Sequence, residues 1–148
     1  MCRLTGLFKP KGSPIQFTEK QISGDELKDR LAALGFMVPL GILDSIYYYT
    51  DAEGWAKVLS DLTFKSNLYR AERFDCEDYA MKACVTCWER YGLNAFGLVL
   101  GMTPAGYHGF NIFYDGVEFG LHEPNEGFGF GGPFPIGEHG YTPSIIVI

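Results

Sequence analysis

Residues 107–123 restrict the fold of this chain more than any other stretch, because they can be written as one hairpin with two chemically distinct faces. Asp115-Gly116 is a dipeptide favoured in the two-residue type I′ turn, which needs positive φ at both positions. With those residues as the loop, Tyr114 faces Val117, Ile112 faces Phe119 and Phe110 faces Leu121. The next pair on that apolar face is His108 with Glu123. Phe113-Glu118, Asn111-Gly120 and Gly109-His122 fall on the other, more polar face. A slip of one residue would exchange the two faces, so their segregation supports the register. Opposed residues have Cβ atoms about 4.5–5.5 Å apart. The register therefore predicts an imidazole held by a carboxylate at the end of an apolar ladder.

A nucleophile stands upstream, in Phe74-Asp75-Cys76-Glu77-Asp78-Tyr79-Ala80. The pattern from Cys76 predicts a helix to about Tyr91, ended by Gly92. Ala80, Ala83, Cys84, Cys87 and Tyr91 share an apolar stripe, opposite Glu77, Asp78, Lys82 and Glu89. Asp75 is the expected N-cap. Cys76 then sits in the first turn, where free amides and the helix dipole favour a thiolate and are placed to hold an oxyanion. Asp75, Glu77 and Asp78 work against this, since like charge raises a thiol pKa. The thiolate is therefore expected to depend on an ion pair with protonated His108, oriented by Glu123. For a second oxyanion donor the candidates are Tyr69 and Asn67, in the loop segment Ser66-Asn67-Leu68-Tyr69.

The order of cysteine, helix, strand, histidine strand and acid strand resembles the papain-like cysteine peptidase superfamily, nearest its transglutaminase-like branch. Asp75-Cys76-Glu77-Asp78-Tyr79-Ala80 resembles the nucleophile motif of that branch, and Tyr91-Gly92-Leu93-Asn94-Ala95-Phe96 its helix exit. His108-Gly109-Phe110-Asn111 resembles its histidine strand, and Leu121-His122-Glu123-Pro124 its acid-proline motif. Glu123 stands where Asp or Asn is commoner. The resemblance implies a papain-like, transglutaminase-like α+β fold with helices against an antiparallel sheet. It also implies a thiol hydrolase cleaving amide or peptide bonds through a Cys76-His108-Glu123 triad and an acyl-enzyme, acting on a peptide or protein. Transglutaminase-type acyl transfer is an alternative within the same chemistry, and an inactive viral or scaffold binding module is one outside it. No cofactor and no metal are expected.

Other candidates have plainer readings. Cys84 and Cys87 form a Cys-x-x-Cys spacing, but they lie mid-helix on the apolar stripe with no second cysteine pair, so core packing is expected. Cys2 is uninformative. His122 is expected to face away from the Glu123 side, Asn125 to be a weaker orienter than Glu123, and His139 to lie on the surface. The acids around Cys76 match no EF-hand loop. Ser45-Ile46-Tyr47-Tyr48-Tyr49 either lines a cleft or covers the core. Residues 127–140, rich in glycine with Phe128, Phe130 and Phe134 interleaved, form either a lid beside the acid or a packed connection.

Ser23-Gly24-Asp25-Glu26 and Thr50-Asp51-Ala52-Glu53 have capping-box form and open helices ending near Gly35 and Leu62. Strands are expected over residues 93–100 and 144–148. The expected arrangement is α+β, with helices on one side of an antiparallel sheet. At 148 residues and 47% hydrophobic content, the chain is expected to form a single domain, 1–148. A net charge of −6 argues against nucleic acid or an anionic membrane as partner. No stretch has the apolar length of a membrane span, and residues 1–12 hold no signal-type apolar run. A required free thiol fits a reducing compartment, so cytoplasm is expected, for a cellular or a virus-encoded chain alike. Oligomeric state is left open.

Overall fold

The computed structural model describes residues 15–148. Cys2 and the expectation about residues 1–12 lie outside them. Three helices form where caps and apolar spacing coincide. Helix α1 (Gly24–Ala33) is capped by Ser23, whose side chain accepts from the Glu26 amide, and it buries Leu27 and Leu31. Helix α2 (Ala52–Asp61) is capped by Asp51 and buries Trp55, Val58 and Leu59. Helix α3 (Cys76–Tyr91) ends at Gly92, whose φ of 71° is the left-handed conformation that closes a helix at low cost.

The strands are β1 (Lys20–Ser23), β2 (Ile46–Tyr49), β3 (Phe96–Thr103), β4 (Gly106–Tyr114), β5 (Phe119–His122), β6 (Phe134–Pro135) and β7 (Thr142–Val147). Strands β1 and β2 pair as a small antiparallel sheet. The other five form one antiparallel sheet in the order β6-β5-β4-β3-β7.

Two expectations are corrected here. First, the sheet is not covered on one side only. Phe96 and Phe113 pack with Trp55, Leu59, Ala83 and Cys87 of α2 and α3. Phe110, Ile112 and Tyr114 pack with Leu27 and Leu31 of α1 and with Ile22 and Tyr47 of the small sheet. From Gly109 to Tyr114 strand β4 is buried on both faces, because both are covered.

Second, the hairpin loop has four residues, and the closing pair is Tyr114 with Phe119. A type I′ turn needs two residues at positive φ, and only Gly116 has one, at 101°. Asp115 instead turns its carboxylate onto the loop, accepting from the amides of Val117 (2.7 Å) and Glu118 (2.8 Å). The register is thus moved by two. A shift of two keeps every side chain on its face, so His108 and Glu123 remain on the same side although no longer opposed.

Of the two readings of residues 45–49, core cover describes Tyr47, which is buried and donates to the Ile148 carbonyl at 3.1 Å, and Tyr49, which packs edge-on against Tyr114. Both tyrosines cover the core, and Tyr47 also borders a small apolar cavity beside Trp88. No helix among the described residues is long and apolar enough to cross a membrane.

Candidate functional site

The site forms where β5 stops at His122 and leaves the early part of β4 without a neighbour on that side. Helix α3 begins beside that gap. A Cβ built on Gly109 would lie 2.7 Å from Glu77 Cα and 2.8 Å from Glu77 N, with Cys76 C at 3.1 Å. Real Cβ contacts are never that short, so only glycine lets the helix start rest on β4 next to His108. Further along, buried Asn111 donates to the Ala80 carbonyl (2.9 Å) and the Gly97 carbonyl (3.1 Å), tying α3 to the sheet. The sequence reading included Gly109 and Asn111 in a motif without assigning either a role.

Cys76 is the first residue of α3 and is partly buried. Its Sγ donates to Glu77 Oε2 at 3.2 Å, and its proximity to His108 favours the protonated imidazole. His108 Nε2 lies 2.8 Å from Glu123 Oε2, which leaves Nδ1 as the ring nitrogen for sulfur. The side chains of His108 and Glu123 are only 12% and 1% exposed. Glu123 is fully engaged: Tyr141 donates to the same Oε2 at 3.0 Å, and the Asn125 amide donates to Oε1 at 2.9 Å. Aromatic rings wall the imidazole, with the Phe128 centroid 5.0 Å away and Tyr141 edge-on at 5.9 Å.

These surroundings set the charge of His108. Burial opposes protonation, but the hydrogen bonds to Cys76 and Glu123 and the Glu123 charge outweigh it, raising the pKa to about 9. The ring is therefore cationic at neutral pH. Burial and the Glu123 charge also push the Tyr141 hydroxyl far up, so it stays a donor. At the helix start Asp75 is raised and Glu77 lowered, each chiefly by the hydrogen bond they share. Asp75 takes the N-cap position, and its own amide donates to Asp78 Oδ2 at 3.1 Å.

The structure thus brings Cys76, His108 and Glu123 together and adds Tyr141, which sequence reasoning missed. Tyr141 lies 18 positions beyond Glu123, with no local pattern linking them. Asn67 and Tyr69 lie in and just after a 3₁₀ turn, Ser66–Leu68, and both are exposed. Among the described residues neither makes a hydrogen bond to Cys76. Cys84 and Cys87 are buried, and burial raises both thiols well above the ordinary range. His122 is fully buried on the other face against the Leu62 carbonyl (3.1 Å), its pKa lowered by burial to about 4. His139 stacks on Phe130 at 4.0 Å. Asn125 serves through its backbone and caps a short turn, accepting from the Gly127 amide at 2.9 Å. Asp75, Cys76 and Glu77 hold ligand-type atoms within 4.8 Å of one another.

No family model and no curated protein matches the chain. Solved structures share the fold, among them the two that follow. One, described as a PSL1a-E64 complex, is 20% identical with a TM-score of 0.60, covering 86% of this chain and 51% of that one. The other is Polyporus squamosus lectin bound to the human-type influenza-binding epitope Neu5Aca2-6Galb1-4GlcNAc. It is also 20% identical, with a TM-score of 0.55, covering 86% of this chain and 49% of that one. The chain spans about half the length of each, and likeness at this identity shows the fold alone.

These comparisons correct the family expectation. The fold is one found in a lectin chain, and no family model supports a papain-like or transglutaminase-like membership, so that membership is not carried further. The cysteine peptidase and acyl-transfer activities, the inactive viral or scaffold alternative and the peptide or protein substrate rested on it and go with it. The resemblance rested on four motifs of a few residues each. A cysteine at a helix start and a histidine beside an acid are local arrangements, and they do not define the chain path around them.

Proposed function

We propose that this chain is a ligand-binding module whose cleft is centred on an activated thiol. Cys76 is the nucleophile toward small electrophilic ligands, His108 its cationic partner, and Glu123 the acid that orients His108. The single observation that carries this is Glu123, almost wholly buried with three polar partners, one of them the imidazole beside Cys76. A buried carboxylate is costly unless paired, and here it is paired toward the thiol. With an epoxide, Cys76 would give its proton to Glu77, its acceptor at 3.2 Å; the thiolate would form the new C–S bond as the ring C–O bond breaks, and the His108 imidazolium would supply the proton to the alkoxide. The test is alkylation by iodoacetamide and by E64, the compound named in one neighbour, followed by intact mass and peptide mapping. Rapid labelling of Cys76 at neutral pH, lost in His108→Ala, supports the reading. Equally slow labelling of Cys76, Cys84 and Cys87 refutes it.

A second reading is carbohydrate binding, favoured by the glycan bound to the Polyporus squamosus lectin and by the exposed rings of Tyr107 and Phe128 near the site. Titration calorimetry with Neu5Aca2-6Galb1-4GlcNAc tests it, and absence of saturable heat ends it. We further propose that residues 1–148 act as one domain and that the chain works in a reducing compartment such as the cytoplasm, where Cys76 stays free. Limited proteolysis releasing a stable fragment would oppose the first, and a Cys76 disulfide in protein isolated from its native source would oppose the second.

A further inference from the structure

Helix α3 presents one apolar stripe to the sheet and a second one outward. Met81, Val85 and Trp88 are 52%, 51% and 42% exposed. At 100° per residue they fall within about 60° of the helix circumference. Scattered exposed apolar residues need no explanation, but three in line on one helix do. Beside Trp88 lies a mainly apolar cavity of about 230 Å³, walled by Leu43, Tyr47, Val147 and Ile148 among others.

We infer that this face pairs with the same face of a second copy of this chain, α3 against α3, antiparallel about a two-fold axis through Val85. Symmetry is what selects this occupant. A two-fold interface must be self-complementary. Val85 then meets Val85 of the other copy, and Met81 meets Trp88. Met81, unbranched and adaptable, is the right side chain to enter the cavity beside that Trp88. The charges follow the same symmetry. Lys82 and Glu89 lie on the same flank of the stripe, and in an antiparallel pair like flanks meet. Lys82 of one copy comes within about one residue, a rise of about 1.5 Å, of Glu89 of the other, so two opposite-charge pairs form across the axis. Cys76 lies on the far side of α3, and the pairing leaves the thiol cleft open.

The test is sedimentation equilibrium of the full chain over a concentration series reaching the high micromolar range. The mass is expected to rise from 16.5 kDa toward twice that value. Val85→Glu is expected to stay monomeric throughout, with circular dichroism and Cys76 alkylation unchanged as proof of folding. Lys82→Glu alone is expected to weaken association about fivefold, and Lys82→Glu with Glu89→Lys to restore it. A chain that remains at 16.5 kDa at every concentration overturns the inference and leaves the stripe to some other partner. Association undiminished by Val85→Glu places the interface elsewhere. A dissociation constant indifferent to Lys82→Glu overturns the antiparallel geometry.

Discussion

Replacing Glu123 by Gln isolates the contribution of one negative charge to the site. The amide keeps the volume, but its one oxygen can accept either where Tyr141 donates or where the Asn125 amide donates, not both, and the charge facing His108 is lost. In the intact protein His108 titrates at about 9 rather than 6.5, despite burial that opposes its charge. The difference of about 2.5 units corresponds to about 3 kcal/mol in favour of the imidazolium, at 1.36 kcal/mol per unit. An opposite charge at this range accounts for about 1–3 units. Glu123→Gln is therefore expected to lower the His108 pKa by about 1–3 units, read from its ring resonances in an NMR titration. The pH profile of Cys76 alkylation is expected to move with it. Stability is expected to respond too. A raised folded-state pKa stabilises fully below 6.5, and the gain is lost as pH rises through 9. Urea unfolding of the wild type is thus expected to lose up to about 3 kcal/mol of this contribution across that window, and the variant much less. If His108 in Glu123→Gln still titrates within half a unit of wild type, the carboxylate does not hold the imidazolium and the site reading fails.

Three further outcomes are expected. Gly109→Ala drives a methyl into the Glu77 backbone, so the start of α3 must move. A loss of about 1–3 kcal/mol in thermal or urea unfolding, together with slowed Cys76 alkylation, is expected, and unchanged labelling would show that the helix start does not need this contact. His122 is buried neutral, so stability is complete above pH 6.5 and falls as pH drops from 6.5 toward 4. Between pH 7 and 5 the loss is about 2 kcal/mol relative to His122→Gln in urea unfolding, and parallel curves for the two proteins would contradict it. Trp55 is fully buried and donates to the Tyr114 carbonyl at 2.8 Å. Trp55→Ala is expected to cost about 3–5 kcal/mol, read as a lowered urea midpoint without change in the His108 titration. A shift of the histidine would mean that the two regions are not independent.

What could be read from the chain alone was local. Ser23 and Gly92 mark helix ends because capping is decided within four residues of the cap, whereas the box written from Thr50 is one residue early, since Asp51 is the cap that accepts from the Gly54 amide. The faces of β4 and β5 were legible because side chains alternate with period two, and this survived a register error of two residues. The register was decided by the Asp115 carboxylate choosing its own turn amides, a balance that dipeptide preference does not weigh. Which elements cover the sheet was also beyond reach. An apolar residue such as Phe113 reads the same under a helix as at a solvated edge, and only the packed structure puts Trp55 over it. Short motifs around Cys76 and His108 suggested a family that the whole chain path does not support, since fold likeness lies in how elements are joined. The meeting of Cys76, His108, Glu123 and Tyr141 was decided by tertiary structure. It depends on the absence of a side chain at Gly109 and on β5 ending where it does, and neither has a signature in the residues that do the chemistry.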